Sequence, residues 1–514
     1  VTITLSAADA TAHIEENPFA RALIGYEVPV TLALILLLGI IFLRGFTEAI
    51  GVAVAIVVAY ISLNIVVIGR ALFEIWQRPE LLANWQQALT FEYGTPFAMT
   101  ATALILFPRL ALGLSGFETG VVVMPLVKGC PTDDPNRPEC RIRNTGYLLA
   151  TAAAIMSVLL ITSSIATTLL IPYEEFQPGG EAYGRALAYL AHEYLGDIFG
   201  TAYDISTIFI LWFAGASAMA GLVNIVPRYL PRYGMAPDWA RATRPLVIVY
   251  TLICFAVTIL FNASITAQAI PYATGVLAVM TSASIAVFLS ALRQKAAGPI
   301  VWFGAVMLIF IYAFLNTILE NPAGLLMAAG FFVMILVISL VSRVMRSTEL
   351  RTTEVQFDAP ALAFVDDAAK RGTVRLIANH PDERNTREYL LKEREEREAS
   401  HIPAGDPVLF LEVEVQDASD FASSVNVRGE EVAGFRVLKV ESASVPNGLA
   451  ATLLAIRDRT GKRPHAYFGW TEGNPLRYLA RFVFFGEGDI APVTREILRQ
   501  TDPNPSTRPA IHVG

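Results

Sequence analysis

The chain has 514 residues, of which 54% are hydrophobic and only 17% charged, with a mean hydropathy of +0.49. A soluble globule carries about a quarter charged residues, so this composition excludes an ordinary water-soluble protein over most of the length. The formal net charge of −7 and the lack of a basic stripe with interleaved aromatics speak against a nucleic-acid partner.

In chain order, the opening stretch VTITLSAADATAH reads as the second half of a helix. With Val1 in place of Met and no leader pattern, the expectation is a chain that lacks an N-terminal portion. Nine runs then suffice to cross a bilayer, some with a polar break: 28–45, 48–69, 97–126, 147–171, 203–227, 244–262, 267–291, 300–319 and 323–342. Residues 1–13 give a partial tenth. Two stretches, 71–89 with Trp76 and Trp85 and 181–199, read as helices lying at the outer surface.

Lys and Arg alternate in phase with these runs. Arg44, Lys128 to Arg143, Arg228 to Arg244, Arg293 with Lys295, and Arg343 with Arg346 fall on one side, which the charge bias marks as cytoplasmic. The other side holds Arg21, Arg70, Arg78 and Arg185 among acids such as Glu15, Glu16 and Glu181. The expected organisation is a multi-pass domain in the cell membrane over residues 1–346 and a cytoplasmic domain over 347–514. Cys130 and Cys140 flank a loop on the cytoplasmic side, so reduced thiols are expected there, too few for a zinc site; Cys254 reads as core.

The third run is the unusual one. Within LALGLSGFETGVVVMPLV (110–127) lie Gly113, Ser115, Gly116, Glu118 and Gly120, a short way after Pro108. Proline kinks a helix and glycine weakens one, and unwound backbone at membrane depth survives only inside protein or along a watery cavity. A carboxylate there is by default functional. A discontinuous helix that binds a small charged solute is one reading. Close helix packing through the glycines, with Glu118 paired to Arg109 or a hydroxyl, is the other.

The C-terminal part reads as an α/β domain. Strands are expected at 373–378, 407–415 and 434–441. Helices are expected at 385–400, at 446–460 closed by Gly461, from Asn474–Pro475 onward, and at about 492–500. No phosphate-loop motif is present, and His380, His401, His465 and His512 lack metal spacing. No cofactor, metal or enzymatic constellation is expected. A regulatory role or a homodimer through this domain stays open.

LGLSGFETGVVVMPL resembles the sixth helix of the amino acid–polyamine–organocation (APC) superfamily. GLVNIVPRYLPRYGMAPDWA (221–240) is similar to the eighth helix and following loop, AIPYATGVLAVMTSASIAVFLSALR (269–293) to the tenth, and VTITLSAADATA to the end of the third. The resemblance implies an α-helical inverted-repeat membrane fold, with helices three (partial) to twelve present, joined to the C-terminal α/β domain. It implies a secondary active transporter of amino acids or related organocations, coupled to protons or exchanging solutes. The carbonyls of Leu114, Ser115 and Gly116 would then face the solute, Phe117 would gate it and Glu118 would carry a proton. Ser217, followed by Ala218, keeps one of two hydroxyls that sodium-coupled relatives use as ion ligands; Tyr272 and Thr274 would face the cavity or simply pack. HAYFGWTEGNPL (465–476) is similar to a segment of KUP-type potassium transporters, which gives the alternative cargo. A membrane-anchored sensor or scaffold is the third reading.

Overall fold

The computed structural model describes the chain except residues 46–49, 115, 117–119, 121–123, 125–126, 132, 135–137, 178, 232–234, 237, 296, 347, 381–383, 416–422, 470–477 and 479–489. It divides into two compact units, residues 1–225 with 242–333, and residues 226–241 with 334–514.

The first unit is helical. Helices α1 (Thr2–Glu15), α2 (Glu27–Arg44), α3 (Ile50–Gln77), α4 (Glu80–Tyr93) and α5 (Pro96–Leu106) lead into a 3₁₀ segment, Phe107–Leu114. Then come α6 (Glu139–Leu170), α7 (Ala186–Leu195), α8 (Asp197–Tyr229), α9 (Thr243–Leu260), α10 (Ile265–Gln294), α11 (Ala297–Glu320) and α12 (Pro322–Met345), the ends of α8 and α12 belonging to the second unit. Among the described residues, eight helices are long and apolar enough to cross a membrane: α2, α3, α6 and α8 to α12. Their most apolar windows are at most one-third buried, so apolar side chains face outward, as in a protein solvated by lipid. This is a multi-pass membrane protein.

Packing between these helices relies on small residues. Ile3 and Ala7 of α1, Ile35 and Leu38 of α2, Met219 of α8 and Val247 of α9 form one buried cluster. A Cβ on Gly39 of α2 would lie 2.7 Å from Thr251 Oγ1 of α9, so glycine lets the two backbones approach. A second cluster joins Val67 and Ala71 of α3, Ala166 of α6 and Leu190 of α7.

Three sequence expectations change. The stretch 71–89 is not one surface helix: α3 runs on to Gln77, and α4 begins only after Pro79, because nothing before that proline interrupts the helix. The stretch 181–199 holds the shorter α7, which Gly196 closes with a positive φ before α8 starts. Finally, Cys130 and Cys140 are bonded to each other rather than free. Asp133 is the reason they meet: its carboxylate accepts the backbone N–H of Cys130, Cys140 and Arg141 at 3.2, 3.0 and 3.0 Å. Desolvation would raise that carboxyl, but these donors and the Arg141 charge outweigh it and hold it below the usual range.

Among the described residues, the second unit carries a seven-stranded sheet in the order β1-β4-β5-β3-β2-β6-β7. The strands are β1 (Thr352–Phe357), β2 (Arg375–Asn379), β3 (Val408–Val415), β4 (Ser423–Val432), β5 (Phe435–Ser442), β6 (His465–Phe468) and β7 (Ala510–Val513). All pairings are parallel except β4 with β5. The helices are α13 (Ala359–Arg371), α14 (Thr386–Ala399), α15 (Val445–Thr460) and α16 (Ile490–Thr501). Strand side chains alternate between faces. Leu376, Leu409, Leu411 and Leu438 meet α13, α15 and α16, while Ile377, Phe410, Val437 and Tyr467 surround Tyr389 of α14.

The expected α/β character and the strands at 373–378, 407–415 and 434–441 match β2, β3 and β5. Strands β1, β4, β6 and β7 and helix α13 come in addition. α13 is held by Asp358, which accepts from Ala361 N at 2.8 Å and Gly429 N at 2.9 Å. The helix expected from Asn474 lies outside the described residues.

Candidate functional site

The interruption anticipated in the third run begins where proline dictates. The α-helix stops at Leu106 and tightens into the 3₁₀ segment containing Pro108. Proline has no N–H, so the Leu104 carbonyl, four residues back, loses its helical donor. The Tyr312 hydroxyl of α11 donates to it at 2.8 Å. Asn316, one turn further along α11, donates to the Ile105 carbonyl at 3.2 Å and to Glu320 at 3.3 Å. Glu320, another turn on, accepts from Arg109 Nε at 3.0 Å. The i, i+4, i+8 spacing puts all three on one stripe of α11, which meets the polar groups the broken helix frees.

Beside this brace lies a cavity of about 140 Å³, lined by Pro108, Arg109, Ile270, Ala273, Thr317 and Glu320. The sequence-derived site residues sit as follows. The backbone of Leu114 ends the 3₁₀ segment, and Gly116 follows with φ +95°, a conformation that suits glycine. Ser115, Phe117 and Glu118 lie outside the described residues. A Cβ on Gly120 would stand 3.1 Å from Leu149 of α6, so α6 flanks this stretch. Tyr272 is buried on α10, and Thr274 Oγ1 bonds the Ile270 carbonyl at 3.0 Å. Ser217 is exposed on α8, its hydroxyl donating to the Ala214 carbonyl at 2.8 Å.

A polar cluster that the sequence reading passed over stands elsewhere in the first unit. Asp204 of α8 is 0% exposed. His13 Nδ1 approaches its Oδ1 at 3.0 Å, and Asn17 Nδ2 and His192 Nε2 approach its Oδ2 at 2.8 and 3.0 Å. Arg185 Nη2 lies 3.9 Å from Oδ2, and His192 Nδ1 lies 3.2 Å from Asp197. The available signal was a set of ionisable residues at apolar helix ends; their spacing along the chain, from 13 to 204, hides their meeting.

In the second unit the parallel strands run β5-β3-β2-β6-β7, so chain order reverses between β2 and β6. Ligands of open α/β sheets bind outside the carboxyl ends of the strands at such a reversal. A crevice of about 450 Å³ occurs there, lined by Asn379 and His380 after β2, Phe468 and Gly469 at the end of β6, and Lys392 of α14.

No family model matches the chain, and no curated protein matches it.

Proposed function

We propose that this protein is a secondary active transporter of the APC type, moving amino acids or related organocations across the cell membrane with the second unit in the cytoplasm. The observation that carries this reading is the brace on α11: Tyr312 and Asn316 take the carbonyls freed at Pro108, and in sequence a glycine-rich stretch containing Glu118 follows. An interrupted helix whose backbone is met by a neighbour offers the remaining polar groups to a solute. Glu118 then serves as the proton carrier, and Phe117 as the gate.

A thermal-shift titration of the protein in detergent tests it, with amino acids, polyamines, potassium and sodium as ligands. A ligand at 100 times its dissociation constant stabilises by about 2.7 kcal/mol. The expected outcome is a saturable rise with one amino acid or amine class, and a changed pH dependence of that rise in Glu118→Gln. A response to potassium alone would instead support the KUP-type cargo. The sensor reading is favoured by a different observation, the crevice between β2 and β6; it predicts no stabilisation by any of these solutes.

A further inference from the structure

His192 stands between two carboxylates on a seat that glycine provides. Helix α7 is closed by Gly196, whose φ of +83° leads the chain into α8. On α8, Asp197, Gly200 and Asp204 recur at i, i+3 and i+7 and share one face. The imidazole of His192 lies against that face, because a Cβ on Gly200 would fall 2.5 Å from its Nδ1. Across the bare backbone the ring reaches both acids, with Nδ1 3.2 Å from Asp197 Oδ1 and Nε2 3.0 Å from Asp204 Oδ2.

The proton count follows from these partners. A neutral imidazole has one N–H and one lone pair, so it can donate to only one carboxylate and turns a lone pair on the other. An imidazolium donates to both, and such charge-assisted bonds are about twice as strong as neutral ones. Asp204 Oδ2 already accepts from Asn17 Nδ2 at 2.8 Å, and the Asp197 side chain is 68% exposed, where water solvates a carboxylate. His13 meets Asp204 Oδ1 through Nδ1 at 3.0 Å, a bond that a neutral tautomer can make. Arg185 Nη2, 3.9 Å from Asp204 Oδ2, keeps a cation beside Asp204 whatever the state of His192.

Other charges surround the ring. Glu15 and Glu16 of α1, Glu181 and Arg185 ahead of α7 and Tyr189 of α7 line the space beside it, and Glu193 adjoins it in the chain. On α3, which also packs on α7, Arg70 and Arg78 both pair with Glu74.

We propose that His192, seated on Gly200 between Asp197 and Asp204, is a proton-binding site: a proton taken up on the imidazole latches α7 onto α8, and its release undoes one of the two bonds. The latch tightens as pH falls and loosens as pH rises through about pH 5 to 8, where histidines change charge. It needs no solute and stands apart from Glu118 and the transporter reading.

Hydrogen exchange of the whole chain in detergent, corrected for the intrinsic pH dependence of each amide, tests it at about pH 5.5 and about pH 8. Protection over α7 should be about tenfold or more greater at the lower pH. His192→Gln, which keeps an N–H donor but gains no proton, should show equal protection at both. Asp197→Asn should shrink the difference, since a neutral partner no longer demands a second N–H. His13→Gln should keep the difference of the parent. Unchanged protection over α10 shows which variants are folded, and Asp197→Asn, at an exposed position, carries the test should His192→Gln fail to fold. Parent protection that does not vary with pH overturns the site. So does a difference that survives whole in His192→Gln or in Asp197→Asn, or one that vanishes in a folded His13→Gln, since the proton then resides elsewhere.

Discussion

Glu412 shows how much one side chain can organise. It is 3% exposed in β3, yet every oxygen is used. Oε1 accepts from Tyr389 at 2.7 Å and Asn379 at 2.9 Å, and Oε2 accepts from Arg384 at 2.8 Å. Burial, reinforced by Glu412, pushes the Tyr389 phenol above its usual range, so its proton stays available to donate. A buried hydrogen bond to a charged group contributes about 1.5–3 kcal/mol. Tyr389→Phe should therefore destabilise the second unit by about 2 kcal/mol, leaving one acceptor site unfilled. Glu412→Ala should cost more, because Arg384, Tyr389 and Asn379 lose their partner together. Hydrogen exchange across 408–415 in the intact protein checks both: protection should fall in Tyr389→Phe and fall further in Glu412→Ala. Equal protection in all three proteins would mean the network is idle.

Among elements, the brace from α11 to the 3₁₀ segment makes a sharp claim. Tyr312→Phe removes the donor that replaces the N–H missing at Pro108, and Asn316→Leu removes its neighbour. Each orphaned carbonyl costs about 1–3 kcal/mol where water is excluded. The double variant should lose hydrogen-exchange protection at 104–109 and weaken solute binding. A change of protection without any change of binding would detach the interruption from the solute site. The β6–β7 edge supplies a pH counterpart. His465 and His512 stack with ring centroids 5.0 Å apart and nitrogens 3.0 Å apart. Burial, then His512, Arg375 and Arg463, lower the His465 imidazole to about 4. The unfolded chain binds this proton more readily, so the stability is complete above about pH 6.5, is lost as pH falls toward 4, and is flat below that. Discounted for partial exposure, the loss should be about 1–2 kcal/mol, and His465→Phe should remove it from a pH series of urea midpoints.

At this scale the sequence was readable where a local signal existed. Hydropathy placed eight of the nine expected spans, β-branched runs placed β2, β3 and β5, and Gly461 closed α15. Strand β4, SSVNVRGEEV, was not readable because its polar alternation and Gly429 mimic a loop. That glycine is needed for a tertiary reason: a Cβ there would lie 2.4 Å from Ala361 N at the start of α13. The Asp204 cluster was hidden for the same kind of reason, since only folding brings residues 13, 17, 185, 192 and 204 together.

For the whole molecule, two observations about orientation pull in opposite directions. The count of Lys and Arg assigns the segment 128–143 to the cytoplasm, whereas a bond between Cys130 and Cys140 belongs to an oxidising space. Asp133 reconciles them. By collecting three backbone N–H groups it sets the two Cα atoms 5.6 Å apart, so the sulfurs are poised to bond or to stand reduced side by side. With a sequence separation of only 10, the link closes a short loop, which is worth at most about 3 kcal/mol. We therefore expect both sulfurs to be alkylated when intact cells are treated with N-ethylmaleimide before lysis, and to be found bonded when extraction in air comes first. Cys254, 6% exposed in α9, should stay unmodified in both samples. Recovery of a bonded pair despite alkylation in intact cells would put this loop on the oxidising side. Because the charge alternation stays in phase along the chain, that single result would overturn the proposed orientation of every span and, with it, the proposed cytoplasmic placement of residues 347–514.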